Sequence, residues 1–107
     1  MYTYEAKVLK VVDGDTIDAL IDLGFDMHKS IRVRLVGINS PESRTRDLEE
    51  KKRGLAAKAR LKEILKSNKN KIILESQGVG KYGRCLGIIR IKDTNVNQQL
   101  VQEGHAV

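Results

Sequence analysis

The sequence has no tryptophan, one proline, one cysteine and two histidines. Each scarcity excludes something. Three tyrosines and one phenylalanine are the only aromatics, which argues against an aromatic-rich platform for stacking single-stranded bases. The lone Cys85 can form no disulfide within the chain and no cysteine-based zinc site. It lies between Arg84 and Leu86 in a strand-like run and reads as an inert buried thiol. A single proline is too few for a linker or a low-complexity tail. His28 and His105 belong to no motif and read as surface residues rather than metal ligands or bases. No apolar run approaches the length needed to cross a membrane. Met1-Tyr-Thr-Tyr-Glu5 begins a strand pattern rather than a signal peptide. The expectation is therefore a protein without a membrane partner, cytoplasmic by default, with a trimmed export signal left open.

What is present describes a globular chain. Of 107 residues, 40% are hydrophobic and 32% charged, which fits one domain spanning 1–107 with a modest core. The net charge of +6 is unevenly spread: residues 1–28 carry −4, residues 29–71 carry +9 and residues 72–107 carry +1. An acidic hairpin followed by a basic middle could pair a cation site with a surface facing a polyanion. The middle lysines read equally well as a solvated helix face.

Hydrophobic periodicity sets the element order. Tyr2 to Val12 reads as a strand, and Asp13-Gly14 is a turn dipeptide. Thr16 to Leu23 returns as a second strand. Gly24 to Ser30 reads as a connecting turn. Ile31 to Ile38 reads as a third strand, with Arg32 and Arg34 on its opposite face. From Asp47 to Ser67 the pattern is helical, with Leu48, Leu55, Ala59, Ile64 and Leu65 on one stripe. Gly54 interrupts it, so the helix is expected to start in earnest there. Lys71 to Ser76 reads as a fourth strand, Gln77 to Gly80 as a flexible loop and Tyr82 to Ile91 as a fifth strand. Gly83 and Gly87 read as bulge or bend points. Val96 to Gln102 reads as a short helix, with Gly104 placed for a left-handed cap. The predicted class is mainly β with helices (α+β). It is a five-stranded OB-fold barrel with one long helix between strands 3 and 4 and a short C-terminal helix.

Three segments carry related chemistry. Val12-Asp13-Gly14-Asp15-Thr16 offers two carboxylates, though alone it also reads as a tight turn. Arg34-Leu-Val-Gly-Ile-Asn39-Ser40-Pro41-Glu42 offers an arginine, an oxygen-rich turn and a carboxylate. Lys81-Tyr82-Gly83-Arg84 offers a second arginine beside a lysine and a phenol. Together they supply a cation site, a guanidinium clamp and a base, which is what phosphodiester hydrolysis needs.

In this order, and with Asn97-Gln-Gln-Leu-Val-Gln-Glu-Gly104 at the end, the segments resemble the staphylococcal nuclease (thermonuclease) family over essentially the whole chain. The resemblance implies an OB-fold barrel and Ca²⁺-dependent hydrolysis of DNA and RNA. The family cuts the P–O5′ bond, leaves 3′-phosphates and has low sequence preference. It implies that Asp15 is a metal-ligating carboxylate and that Asp13 is a nearby acid supporting the site from behind. Ser40 stands where the family offers a backbone carbonyl to the metal. Glu42 matches the proposed general base. Arg34 and Arg84 match two phosphate-clamping arginines, and Lys81 and Tyr82 match residues that bind a terminal phosphate. Arg32 lies outside the motif and reads as an exposed or ion-paired arginine.

Two departures stand out. Asn39 occupies the place of a second metal-ligating aspartate. Its amide oxygen can still coordinate Ca²⁺ but brings no charge, so weaker cation binding is expected. The sequence also ends at Val107, short of the tyrosines and long terminal helix of the staphylococcal enzyme, which puts the base-stacking side of the pocket in doubt. A monomeric nuclease acting on DNA and RNA is the first expectation. A nucleic-acid-binding OB module with weak or no catalysis is the alternative.

Overall fold

The computed structural model describes residues 2–79 and 84–107. Strands β1 (Tyr2–Asp13), β2 (Thr16–Asp22) and β3 (His28–Leu35) precede helix α1 (Leu48–Lys66). Strands β4 (Lys71–Val79), β5 (Cys85–Ile91) and the two-residue β6 (Thr94–Asn95) follow, then helix α2 (Val96–Gln102). The sheet order is β3-β2-β1-β4-β5-β6, and a further β3–β5 pairing closes the first five strands into a barrel. That closing pair is parallel, with Val33 opposite Cys85, and the other pairs are antiparallel. The predicted five-stranded barrel, with its long helix between the third and fourth strands and its short final helix, is the observed architecture.

Alternation sets the inside of the barrel. Along β5, Cys85, Gly87, Ile89 and Ile91 are buried while the residues between them are partly exposed. Ile17, Val33, Leu35, Leu74 and Ile89 are fully buried, and Leu61 and Leu65 of α1 close one side. Cys85 is buried and free, as its surroundings in the sequence imply.

Several boundaries differ from expectation. The third strand is shifted back to His28–Leu35, because the β2–β3 hairpin continues pairing to Asp22 and His28. A tight turn made by Leu23 N–H to Met27 O (2.8 Å) and Met27 N–H to Gly24 O (2.9 Å) replaces the longer connection. β4 continues through Gln77, Gly78 and Val79, where a loop is expected, and a register shift against β5 lies between Ser76 and Gly78. The bulge is thus on β4, across from Gly87. A Cβ on Gly87 would meet Leu74 Cδ1 at 2.5 Å and Glu75 O at 3.2 Å, so a side chain there would displace the end of the buried Leu74. Gly83 and the start of the predicted fifth strand lie outside the described residues.

Helix α1 starts at Leu48 rather than at Gly54. Asp47 caps it, accepting from the backbone N–H groups of Glu49 (3.0 Å) and Glu50 (3.2 Å). The buried face is Gly54, Ala57, Leu61, Ile64 and Leu65. Leu48, Leu55 and Ala59 of the predicted stripe are exposed. Ile64 and Leu65 of the stripe are buried as expected, while the small residues Gly54 and Ala57 meet the Glu42–Ser43 backbone and the Gly14 hairpin tip.

The C-terminal segment is tied in by backbone. Gly104 (φ +81°) ends α2, with Gly104 N–H to Val101 O (3.1 Å) and His105 N–H to Leu100 O (2.9 Å). Beyond it, Asn39 and Val107 exchange both backbone hydrogen bonds at 2.8 Å. Buried Asn97 accepts from Ile89 N–H (3.1 Å) and donates to Val36 O (2.9 Å) and Gly87 O (3.2 Å). One amide therefore joins α2, β5 and the turn after β3.

Candidate active site

The β1–β2 hairpin closes with Asp13 opposite Thr16, so Gly14 and Asp15 form its two-residue tip. Gly14 is required by proximity: a Cβ there would stand 2.7 Å from Ala57 Cβ on α1. Asp15 is 9% exposed, and its carboxylate is held from three sides. Thr16 Oγ1 donates to Oδ1 at 3.0 Å, the Ser40 backbone N–H donates to Oδ2 at 3.1 Å, and Arg34 Nη2 lies 3.4 Å from Oδ2.

Arg34 organises the turn after β3. Its Nη1 donates to Leu35 O (2.6 Å), and its Nη2 donates to Ile38 O (2.8 Å) and to Asn39 Oδ1 (2.9 Å). Asp15, Asn39 and Ser40 are therefore brought to one place, with the Arg34 guanidinium between the side-chain oxygens of the first two. Arg32, two residues back, forms an ion pair with Asp18 across the hairpin at 2.8 Å, an ordinary surface contact. That hydrogen bond and charge hold the Asp18 carboxyl below its usual range.

The chain then crosses α1. Ser43 is buried, and its hydroxyl and backbone N–H both donate to Asp13 Oδ1. Immediately before it, the Glu42 carbonyl lies against Gly54, where a Cβ would come within 2.3 Å of Glu42 O. Gly54 lets the Glu42–Ser43 backbone rest on the helix. Asp13 pins the next residue. Glu42 itself is exposed. It lines a cleft of about 470 Å³ with Asn39, Ser40, Glu50, Arg53 and His105.

Arg84 immediately precedes Cys85, the partner of Val33, and Arg34 pairs with Leu86, so in this parallel pairing the two arginines lie on opposite sides of the Val33–Cys85 pair. Arg84 Nε is buried and makes no hydrogen bond among the described residues. Lys81 and Tyr82 lie outside those residues. The structure thus brings Asp15, Arg34, Asn39 and Ser40 into contact and sets Asp13 behind Glu42. Among the described residues no side-chain hydrogen bond or ion pair joins Glu42 or Arg84 to the others, though Glu42 shares its cleft with Asn39 and Ser40.

A divalent cation of the calcium or magnesium type takes hard oxygen ligands. Asp15 carboxylate, Asn39 amide oxygen and the Ser40 carbonyl are of that kind, and Ser40 Oγ is a buried hydroxyl without a partner among the described residues. No cluster of three histidine, cysteine, aspartate or glutamate side chains occurs among the described residues. By donor chemistry alone, one carboxylate and neutral oxygens are the kinds of ligand an oxygen-seeking cation takes.

Three contributors were not legible as site residues in the sequence: Ser43, Gly54 and His105. Ser43 follows the motif directly, and a buried hydroxyl partner for Asp13 is the one of these that a search for helpers to the acidic turn could have raised.

Barrel, hairpin-tip carboxylate and arginine-organised turn define a small OB-type domain with oxygen groups gathered around one guanidinium. Residues 32–107 match the family model described as staphylococcal nuclease homologue, and the chain belongs to that family. It is 31% identical to micrococcal nuclease of Shigella flexneri over 112 residues, covering 96% of this chain and 57% of that protein. It is 32% identical to thermonuclease of Staphylococcus intermedius over 99 residues (92% and 56%) and 31% identical to protein ParB of Escherichia coli over 109 residues (94% and 54%). The chain spans a little over half the length of these relatives.

Proposed function

We propose that this chain is a metal-dependent nuclease that hydrolyses phosphodiester bonds of DNA and RNA with little sequence preference. On this reading Ca²⁺ is the metal, the P–O5′ bond is cut and 3′-phosphates remain. The observation that carries the reading is the convergence of Asp15, Asn39 and Ser40 around the Arg34 guanidinium, with Glu42 seated on α1 beside them. Family membership and relatives named as nucleases support it.

Asp15, Asn39 and the Ser40 carbonyl would hold the metal, which when bound supplies positive charge toward a phosphoryl oxygen and toward water. Glu42 takes the proton of the attacking water. Arg34 and Arg84 bind non-bridging phosphate oxygens, where guanidinium charge counts most as negative charge gathers at phosphorus. Lys81 and Tyr82 bind a terminal phosphate. Asp13 acts through Ser43, fixing the backbone that carries Glu42. One observation favours the alternative of a binding module with weak catalysis: Arg34 is engaged by Leu35 O, Ile38 O and Asn39 Oδ1, and Asn39 adds no charge.

The test is digestion of plasmid and RNA with Ca²⁺ and with chelator, followed by analysis of the product ends. Chelator-sensitive cleavage leaving 3′-phosphates supports the nuclease. Strand binding without cleavage at any divalent ion supports the binding module.

A further inference from the structure

A second charged surface, sharing no residue with this site, runs along the edge where α1 covers β1. Lys58, Lys62 and Lys66 recur every fourth residue, so they form one stripe along the helix, each step rising about 6 Å. Lys10 of β1 faces the same groove, which Leu9 and Asn70 also line. None of the three helix lysines forms an ion pair among the described residues, whereas Lys10 stands opposite Asp18 of β2 and its charge helps hold that carboxyl low. Glu63 is the acid of the groove, and Arg60 already engages it at 3.2 Å. Leu9 is 53% exposed, an apolar step between the charges.

We propose that this lysine groove is a binding track for the phosphate backbone of a nucleic acid strand, separate from the site that performs cleavage. Unpaired ammonium groups at regular spacing complement a chain of evenly spaced anions, and each phosphate bound releases counterions. Lysine offers point charges without directional pairing, so the track reads no sequence. The groove starts near the site. Lys58 lies one turn beyond Gly54, against which the Glu42 carbonyl rests, and Lys66 lies about 18 Å from Gly54 along the helix. A strand engaged at Glu42 has its flank carried along α1. This rests on the nuclease reading for its direction, but not for the binding itself.

The experiment uses a labelled single strand with chelator present, so that binding is read without cleavage. Affinity is measured against salt for the parent, for the triple variant Lys58→Gln/Lys62→Gln/Lys66→Gln and for a charge-matched control, Lys29→Gln/Lys71→Gln/Lys92→Gln. The groove variant should lose about 2 from the slope of log affinity against log salt, at about 0.7 per single-strand phosphate. The control should keep the parent slope. Hydrolysis of a dinucleotide should be unchanged in the groove variant, while KM for a long strand rises. Thermal unfolding checks that both variants fold. An unchanged slope, an equal fall in the control, or polyglutamate competing as well as the strand would overturn the track. Failure of the parent to cleave would remove the nuclease reading and leave the slope comparison intact.

Discussion

Arg34 Nη2 stands 2.9 Å from Asn39 Oδ1, and the same nitrogen lies 3.4 Å from Asp15 Oδ2. A cation from the protein itself is thus seated between the two side chains that the resemblance assigns to a metal. An amide at residue 39 satisfies Arg34 as a hydrogen-bond acceptor without adding charge. A metal ion competing for those oxygens meets one carboxylate and one guanidinium.

Changing Asn39 to aspartate alters that balance. Charge against charge in a partly dry site favours a divalent ion more strongly when two carboxylates face it. Asn39→Asp should lower the Ca²⁺ concentration for half-maximal cleavage and enlarge the rise in Tm on adding Ca²⁺. Arg34 offsets much of the repulsion without metal, so the metal-free Tm should fall little. A calcium titration of both proteins measures this. Identical titrations would take residue 39 out of the metal's surroundings.

The two arginines should separate by what else they do. On the proposed reading each binds phosphate bidentately, so replacing either with lysine should reduce turnover by roughly 10²-fold, the scale for losing one charge-stabilising donor. Arg34→Lys should also lower Tm, because Arg34 donates to Leu35 O and Ile38 O in the turn. Arg84→Lys should leave Tm nearly unchanged. Turnover within a few-fold of the parent in both variants would remove the clamp assignment.

Gly54 poses propensity against packing. In an exposed helix, Gly→Ala stabilises by about 1 kcal/mol. Here the added methyl would stand 2.3 Å from Glu42 O, so the Glu42–Ser43 backbone must move off the helix. Overpacking of this kind costs about 1–3 kcal/mol and outweighs the helix gain. Gly54→Ala should therefore be less stable in urea unfolding, with kcat reduced more than KM is raised. A more stable variant with parental kcat would show that the loop is free to shift.

The α1–α2 contact sets an acid limit on stability. Arg60 Nε and Nη2 engage both Glu103 carboxylate oxygens, at 2.5 and 2.9 Å, and the Arg60 hydrogen bonds, with one from Gln99, hold the Glu103 carboxyl at about 2. The folded value lies below the ordinary glutamate value of 4.5, so the contact is fully present above that value. It is lost as pH falls through the folded value. Tm of the parent should thus fall further than that of Glu103→Gln between about pH 4.5 and pH 2. Parallel Tm curves for the two proteins over that interval would deny the contact any role.

Much of the fold was legible because hydrophobic periodicity is local. β-branched alternation in β1, β2 and β5, the helical stretch ending near Ser67, and Gly104 as a left-handed cap all follow from residues a few positions apart. Asp47 as a cap was legible in principle, but Gly54 drew the helix start toward itself, since glycine inside a helix reads as an interruption. The buried face of α1 follows the sequence at Ile64 and Leu65 but not at Leu48, Leu55 and Ala59, because close approach of the Glu42–Ser43 backbone and of the Gly14 tip selects Gly54 and Ala57.

By itself the sequence determined the barrel's strand pattern, the uneven charge and the chemical types of the candidate site: acids at a hairpin tip, an oxygen-rich turn and two arginines. Those properties reside in residue identity and short-range spacing. Only the tertiary structure decided that Arg34 would lie between Asp15 and Asn39, that Glu42 would rest on Gly54, and that Lys10 would join the lysines of α1. Each of these joins residues from different elements, and their distances depend on how the barrel closes and where the helix packs on it. Local propensity carries no term for that.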